Sequence, residues 1–167
     1  DEFYQRCLEI NEKMITQLEK NSNFNLTGYW AIAEKEARNS KYWSNLKHVY
    51  QGGGDLGERL GSVYSELIEN YDLVLFMGAD SPHLNVRKIN EFINTFEQSS
   101  SDFLLGRAED GGFYLFGGKK ELPNKMWSLV QYSTQSTAAQ LITKLEELGS
   151  IELIEESFDI DCMQDLQ

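Results

Sequence analysis

The run Leu73-Val74-Leu75-Phe76-Met77-Gly78-Ala79-Asp80-Ser81-Pro82 limits what this chain can fold into more than any other stretch. Leu73 to Met77 are all large and apolar, with no polar residue alternating among them. Such a run, closed by turn formers, reads as a strand buried on both faces, in the middle of a parallel sheet. Gly78 lets another group come close to the backbone. Asp80 then falls at the strand's carboxyl end, where open α/β sheets hold their ligands. Pro82 stops the strand, and Asn85 is placed to cap the helix that follows. The expectation is one carboxylate at the mouth of a rigid sheet, where a metal-bound phosphate would lie.

Helical and strand patterns alternate around this run. Phe3, Cys7, Ile10, Met14 and Leu18 recur at spacings of three and four, which predicts a helix over 1–20. Residues 27–34 (TGYWAIAE) are β-rich and predict a strand; Glu34 at its end faces either the ligand mouth or solvent. A short strand is expected at 47–50. Then comes Gln51-Gly52-Gly53-Gly54-Asp55-Leu56-Gly57-Glu58-Arg59-Leu60. Asp55 and Glu58 have capping-box spacing, and an apolar stripe continues as a helix over 56–69. A glycine turn feeding a helix can offer amide donors to a phosphate or a base. No Gly-Lys-Ser/Thr follows, so this is not a P-loop.

After the Asp80 strand, a helix over 86–98 and a short buried strand at 102–106 complete a βαβ unit, with the two strands parallel. Arg107 to Gly118 (RAEDGGFYLFGG) carries adjacent acids, Glu109 and Asp110, ahead of Gly111 and Gly112. The stretch is a plain Asp-Gly turn or a binding loop. A strand over 113–116, closed by Gly117 and Gly118, follows it. Residues 122–131 read as a loop with a short strand over the site. Ser133 or Thr134 would cap a helix to Leu148, and an edge strand is expected at 151–154. Asp159-Ile160-Asp161 comes after it. Together these give an α/β three-layer sandwich with a mixed, mainly parallel sheet. With no linker or repeat in sight, residues 1–167 form one domain.

Composition narrows the function classes. The chain of 167 residues has a formal net charge of −12. Nucleic-acid binding rests on clustered Lys and Arg, so this charge argues against that partner. A polyphosphate ligand would need a divalent cation, Mg²⁺ or Mn²⁺, to offset repulsion. No apolar run approaches the ~20 residues of a membrane span. The two cysteines, Cys7 and Cys162, form no Cys-x-x-Cys or Cys/His cluster, which disfavours zinc and fits free thiols in a cytoplasmic setting. Nothing in the sequence fixes an oligomeric state.

QGGGDLGERL, LFMGADSPHL, LGRAEDGGFYLFGG and the terminal DIDCMQDL occur in that order. Together they resemble a bacterial family of uncharacterised nucleotide-diphospho-sugar transferase-like proteins, also called the selenium- or radical-enzyme-associated transferase type. The resemblance runs from Trp30 to the C-terminus. It implies the fold of A-type glycosyltransferases, shared with sugar-nucleotide pyrophosphorylases and with molybdopterin and phospholactate guanylyltransferases. It also implies that Asp80 and Asp161 hold the metal. Gln51, Gly52, Gly53, Gly54, Arg59 and Gly78 would lie by the nucleotide. Asp110, Gly111, Gly112 and Phe113 would lie toward the acceptor. Glu109 and Asp110 are the candidate catalytic carboxylates, with Asp110 taken first. Two positions depart from the pattern. Cys162 stands where relatives carry Thr. Such chains also begin with a strand and a basic loop, whereas this sequence opens in the helix that would follow them; the expectation is either a missing N-terminal strand or a degenerate member.

Two functions follow as expectations. One is a metal-dependent glycosyltransferase or nucleotidyltransferase acting on a nucleotide-sugar or nucleoside triphosphate. The other is a non-catalytic module of the same fold that binds a nucleotide or a protein. His83 and His48 read as surface or packed imidazoles rather than ligands.

Overall fold

The computed structural model describes residues 2–39, 43, 45–79, 81 and 84–157. The described residues group into two compact units. One holds those up to Tyr50 together with Ala79–Gln98; the other holds Gln51–Gly78 and the residues from Ser99 onward.

In the first unit, helix α1 (Glu2–Asn21) turns Cys7, Asn11, Met14 and Leu18 inward, the stripe its spacing predicts. Strands β1 (Tyr29–Ile32) and β2 (Lys47–Tyr50) pair in parallel, with Tyr29 opposite Lys47 and Ile32 opposite Tyr50. A short 3₁₀ turn, Lys35–Asn39, lies between them in sequence. Glu12 on α1 accepts from the Trp30 indole at 3.1 Å and from Asn45 at 2.6 Å, tying the helix to this pair. His48 is hydrogen-bonded to the Trp43 carbonyl, a packing role. Helix α2 (Leu56–Ile68) belongs to the other unit; helix α3 (Val86–Gln98) belongs here. Asn85 caps α3 by accepting from the Lys88 amide at 3.0 Å, and Ile89, Ile93 and Phe96 are buried.

The second unit is built on a four-stranded sheet of β3 (Val74–Met77), β4 (Phe103–Ala108), β5 (Phe113–Gly118) and β6 (Ile151–Ser157). Its spatial order is β3-β5-β4-β6. β5 runs antiparallel to both of its neighbours, so β3 and β4 are parallel with one strand between them, and β6 is parallel to β4. The sheet is mixed, with three strands pointing one way, in keeping with the pattern read from the sequence.

Helices α2 (Leu56–Ile68), α4 (Asn124–Ser128) and α5 (Thr137–Glu146) pack over one face. Tyr64, Phe76, Phe103, Phe116 and Trp127 form the aromatic centre of that core. Leu104 and Leu115, which point to the opposite face, are also out of solvent. Tyr64 donates to the Lys120 carbonyl at 2.6 Å, and burial pushes its phenol well above the usual range.

Four expectations are corrected here. β3 is not the middle strand of a parallel sheet buried on both faces: among the described strands it stands at one end of the order, its neighbour β5 is antiparallel, and only Val74 is fully buried. Residues 122–131 contain no strand: Asn124–Ser128 is helical, because Pro123 supplies an extended cap and Met126, Trp127 and Val130 turn into the core. Helix α5 does not begin at Ser133 or Thr134. Ser133 has φ of 58°, a left-handed conformation rather than the extended one usual at a helix cap, and Ser136 takes the cap position before Thr137. Gly117 and Gly118 do not close β5 but pair with Leu75 and Val74. Gly118 belongs in the strand because a Cβ there would sit 2.1 Å from the Tyr64 hydroxyl.

Candidate functional site

The parallel strands β3, β4 and β6 end together, and that end of the sheet collects most of the segments singled out from sequence. β3 exits at Gly78, whose amide donates to the Tyr114 carbonyl at 3.3 Å. The β4–β5 turn therefore lies directly beside the β3 exit. That turn is Glu109 to Gly112: the Gly111 amide donates to Ala108, and the Ala108 amide to Gly112, each at 3.0 Å. The exposed Asp110 accepts from the Gly112 amide at 2.7 Å. Gly111 has φ of 90°, and a Cβ on it would lie 2.1 Å from the Gln135 carbonyl oxygen, so this position needs glycine on two counts. The Ala138 amide donates to Gly111 at 2.9 Å, docking the turn on the start of α5. Phe113 packs against the aromatic core, half-buried.

The glycine turn reaches the same end by another route. Helix α2 is joined to β3 by residues 69–73, so it runs back along the strand. Gly57 and Gly61, in its first half, lie against Trp127, whose ring is 5.9 Å from that of Phe76 on β3. The start of α2 and Gln51 to Gly54 thus sit toward the β3 exit. The capping box expected here is formed: Asp55 accepts from the Glu58 amide and Glu58 from the Asp55 amide, both at 2.9 Å. Gly54 has φ of 93° and leaves room for the returning Glu58 carboxylate, 2.0 Å from where a Cβ would be. Arg59 donates from Nε to the Gly54 carbonyl at 3.0 Å, bracing the turn.

This start of α2 therefore already carries two carboxylates. A phosphate would meet their charge, whereas a neutral group such as a base edge would not. Gly53 is exposed, with nothing within 4 Å of its Cβ position.

Sequence reasoning missed three residues, two in this unit and one in the other. Tyr132 donates to the Trp127 carbonyl at 2.9 Å, and burial, then the Asp55 charge, push its phenol up. Ser133 is the one non-glycine residue with positive φ among those described, and it is exposed. Asn11 is fully buried on α1 and donates to the Ala79 carbonyl at 2.7 Å, at the residue before Asp80. An Asn inside an apolar helical stripe was a usable signal for the last; nothing in spacing marks the other two.

Asp80, Asp161 and His83 lie outside the described residues. Among the described residues, no three His, Cys, Asp or Glu gather to hold a metal ion. Glu34 is exposed and belongs to the first unit. Among the described residues, no helix is long and apolar enough to cross a membrane.

A mixed sheet with β3 leaving at Gly78 and β4 turning at Asp110-Gly111-Gly112, with helices on its face, belongs to an α/β protein of the nucleotide-diphospho-sugar transferase fold. The comparisons agree. A crystal structure from Desulfovibrio desulfuricans G20, named as a "putative nucleotide-diphospho-sugar transferase", superposes with a TM-score of 0.79 at 19% identity over 98% of this chain and 71% of that one. A 4-diphosphocytidyl-2C-methyl-D-erythritol synthase from Anaerococcus prevotii is similar at a TM-score of 0.57, 13% identity, 96% of this chain and 85% of that one. A cytidylyltransferase from Leptospira borgpetersenii gives 0.59, 14%, 94% and 72%. These likenesses show the fold. The chain belongs to the family described as "Uncharacterized protein conserved in bacteria (DUF2064)", whose model matches residues 17–134. No curated protein matches the chain.

Proposed function

We propose that this protein is a metal-dependent transferase that moves a glycosyl or nucleotidyl group from a nucleotide-sugar or nucleoside triphosphate. The observation that carries the reading is the gathering of the glycine turn, the β3 exit and the Asp110 turn at one end of the sheet. Open α/β sheets bind ligands at that end. Gln51 to Gly54, Arg59 and Gly78 take the nucleotide. With Asp55 and Glu58 occupying the start of α2, the glycine turn reads the base through backbone groups, and the phosphates lie toward Gly78.

Asp80 and Asp161 are the residues that would hold Mg²⁺ or Mn²⁺. A bound ion there offsets the charge of the phosphates in a chain of net charge −12. Gly111, Gly112 and Phe113 border the acceptor. Asp110, exposed at the tip of its turn, is the carboxylate available to take a proton from an acceptor hydroxyl.

A second reading, a nucleotide-binding module without turnover, draws on one observation: the Asp110 carboxylate is already engaged by the Gly112 amide inside its own turn. The experiment is a thermal-shift screen of nucleotides and nucleotide-sugars with and without Mn²⁺, followed by an assay for released nucleoside diphosphate or pyrophosphate. A ligand that binds only the folded state must stabilise it. A Mn²⁺-dependent shift with product release supports the transferase, and a shift without release supports the module. No shift with any nucleotide contradicts both.

A further inference from the structure

β4 ends in an irregularity that both of its neighbours share. Gly106 pairs with Leu115 and Arg107 with Phe113, so Tyr114 is an extra residue on the β5 side. On the other side Gly106 pairs with Ile154 and Ala108 with Ser157, so Glu155 and Glu156 together face Arg107. Tyr114 crosses β4 above Gly106 and donates to the Glu155 carbonyl at 2.8 Å, joining the two irregularities. Bulges of this kind re-aim a side chain and recur beside active sites. The residue at the centre of this one is Arg107, three positions before Asp110.

Arg107 is half-exposed, and its partner is Glu156, 3.4 Å away and equally exposed. An exposed pair of this kind adds little to stability. The other cations of this unit lie elsewhere. Lys119 and Lys120 bond the Ser99 carbonyl and Asp102 at the far end of the sheet, Lys144 pairs with Glu147 at the end of α5, and Lys125 stands on α4. Arg59 braces the glycine turn. At the carboxyl end, the nucleotide segments are at the β3 side and Arg107 at the β4–β6 side. Two strand spacings, roughly 10 Å, separate β3 from β4.

We infer that Arg107 binds an anionic group, a phosphate or carboxylate, on the acceptor substrate, and that Glu156 occupies Arg107 until that group displaces it. The inference rests on the transferase reading and adds to it the acceptor's chemical class. A guanidinium offers a planar donor pair matched to such a group. In the free protein Glu156 fills that pair, so an anion must compete with it.

Competition predicts opposite signs for two conservative changes. Inorganic phosphate is the probe, titrated by calorimetry, with Mn²⁺-dependent nucleotide binding measured on the same proteins. Arg107→Gln should weaken phosphate binding about tenfold or more, and Glu156→Gln should tighten it about two- to fivefold. The double variant should match Arg107→Gln alone, and nucleotide affinity should be unchanged in all three. Equal phosphate affinity in wild type and Arg107→Gln would overturn the inference, as would weaker binding in Glu156→Gln. Absence of any phosphate response in both wild type and Glu156→Gln would do the same. Wild type that binds phosphate through Arg107 but no nucleotide would instead count against the transferase reading.

Discussion

The lock that joins β4, β5 and β6 can be tested at Gly106. An added Cβ would lie 2.5 Å from Tyr114 Cζ, 2.6 Å from Cε1 and 2.8 Å from the hydroxyl. Carbon atoms rest about 3.5–4.0 Å apart, so the ring would have to move roughly 1 Å. It cannot do so cheaply, because the hydroxyl is fixed on the Glu155 carbonyl at 2.8 Å and the residue is only 3% exposed. The same burial, followed by the Glu155 charge, pushes its phenol up to about 12. Overpacking costs about 1–3 kcal/mol, and losing the hydrogen bond about 1 more. Gly106→Ala should therefore destabilise by about 2–4 kcal/mol, lowering the melting temperature by roughly 5–12 °C in a chain of this size. In a Tyr114→Val background the ring is gone. There Gly106→Ala should be neutral or stabilising by a few tenths of a kcal/mol, since alanine gives up less backbone entropy. Urea unfolding of the four proteins closes the double-mutant cycle, with an expected coupling of about 2 kcal/mol or more. Equal cost of Gly106→Ala in both backgrounds would refute the lock.

Other outcomes follow from the same geometry. Gly53→Ala should leave stability within about 0.5 kcal/mol, because nothing lies within 4 Å of the new methyl group; a loss of nucleotide binding in this variant therefore reports the ligand itself. Asp102 is held below the usual carboxylate range, first by the Ser150 amide and then by the Ser150 hydroxyl and Lys120. A depressed folded pKa gives stability that is present above the unfolded value near ~3.9 and lost as pH falls through the folded value. Asp102→Asn should thus cost stability at pH 7, by about 1 kcal/mol or less for a side chain 35% exposed, and the difference should vanish in acid. Urea titrations at pH 7 and at pH 3 check the sign.

The strands and long helices were legible because burial leaves a period. α1 shows its stripe at spacings of three and four, and the apolar run of Leu73 to Met77 marks a strand, though its place at one end of the sheet order could not be read from it. The caps at Asp55 and Asn85 were legible because they depend on residues three apart in sequence. What failed depended on partners distant in sequence. Gly118 looks like a stop until Tyr64, from another element, is seen to need its space. The 122–131 stretch has a proline and too few residues to show a helical period, and its helix exists because Trp127 fills the core between α2 and β3. Ser133 and Thr134 are good caps by composition, but hydroxyl contacts through Thr137 shape the turn instead, as when Thr137 donates to the Gln131 carbonyl at 2.8 Å. For the site, the glycine turn and the Asp110 turn could be named from sequence. Their meeting at one end of the sheet required knowing that β5 lies between β3 and β4.

The central claim is a metal-supported nucleotide site at the β3 exit, and Mn²⁺-dependent nucleotide binding in wild type and Asp80→Ala tests it most directly. Calorimetric titration of the nucleotide selected by the thermal screen would be run with and without Mn²⁺, alongside a melting curve for each protein. The account predicts that Asp80→Ala stays folded and loses the Mn²⁺-dependent part of its affinity. A folded Asp80→Ala protein with the same Mn²⁺-dependent affinity as wild type would contradict it.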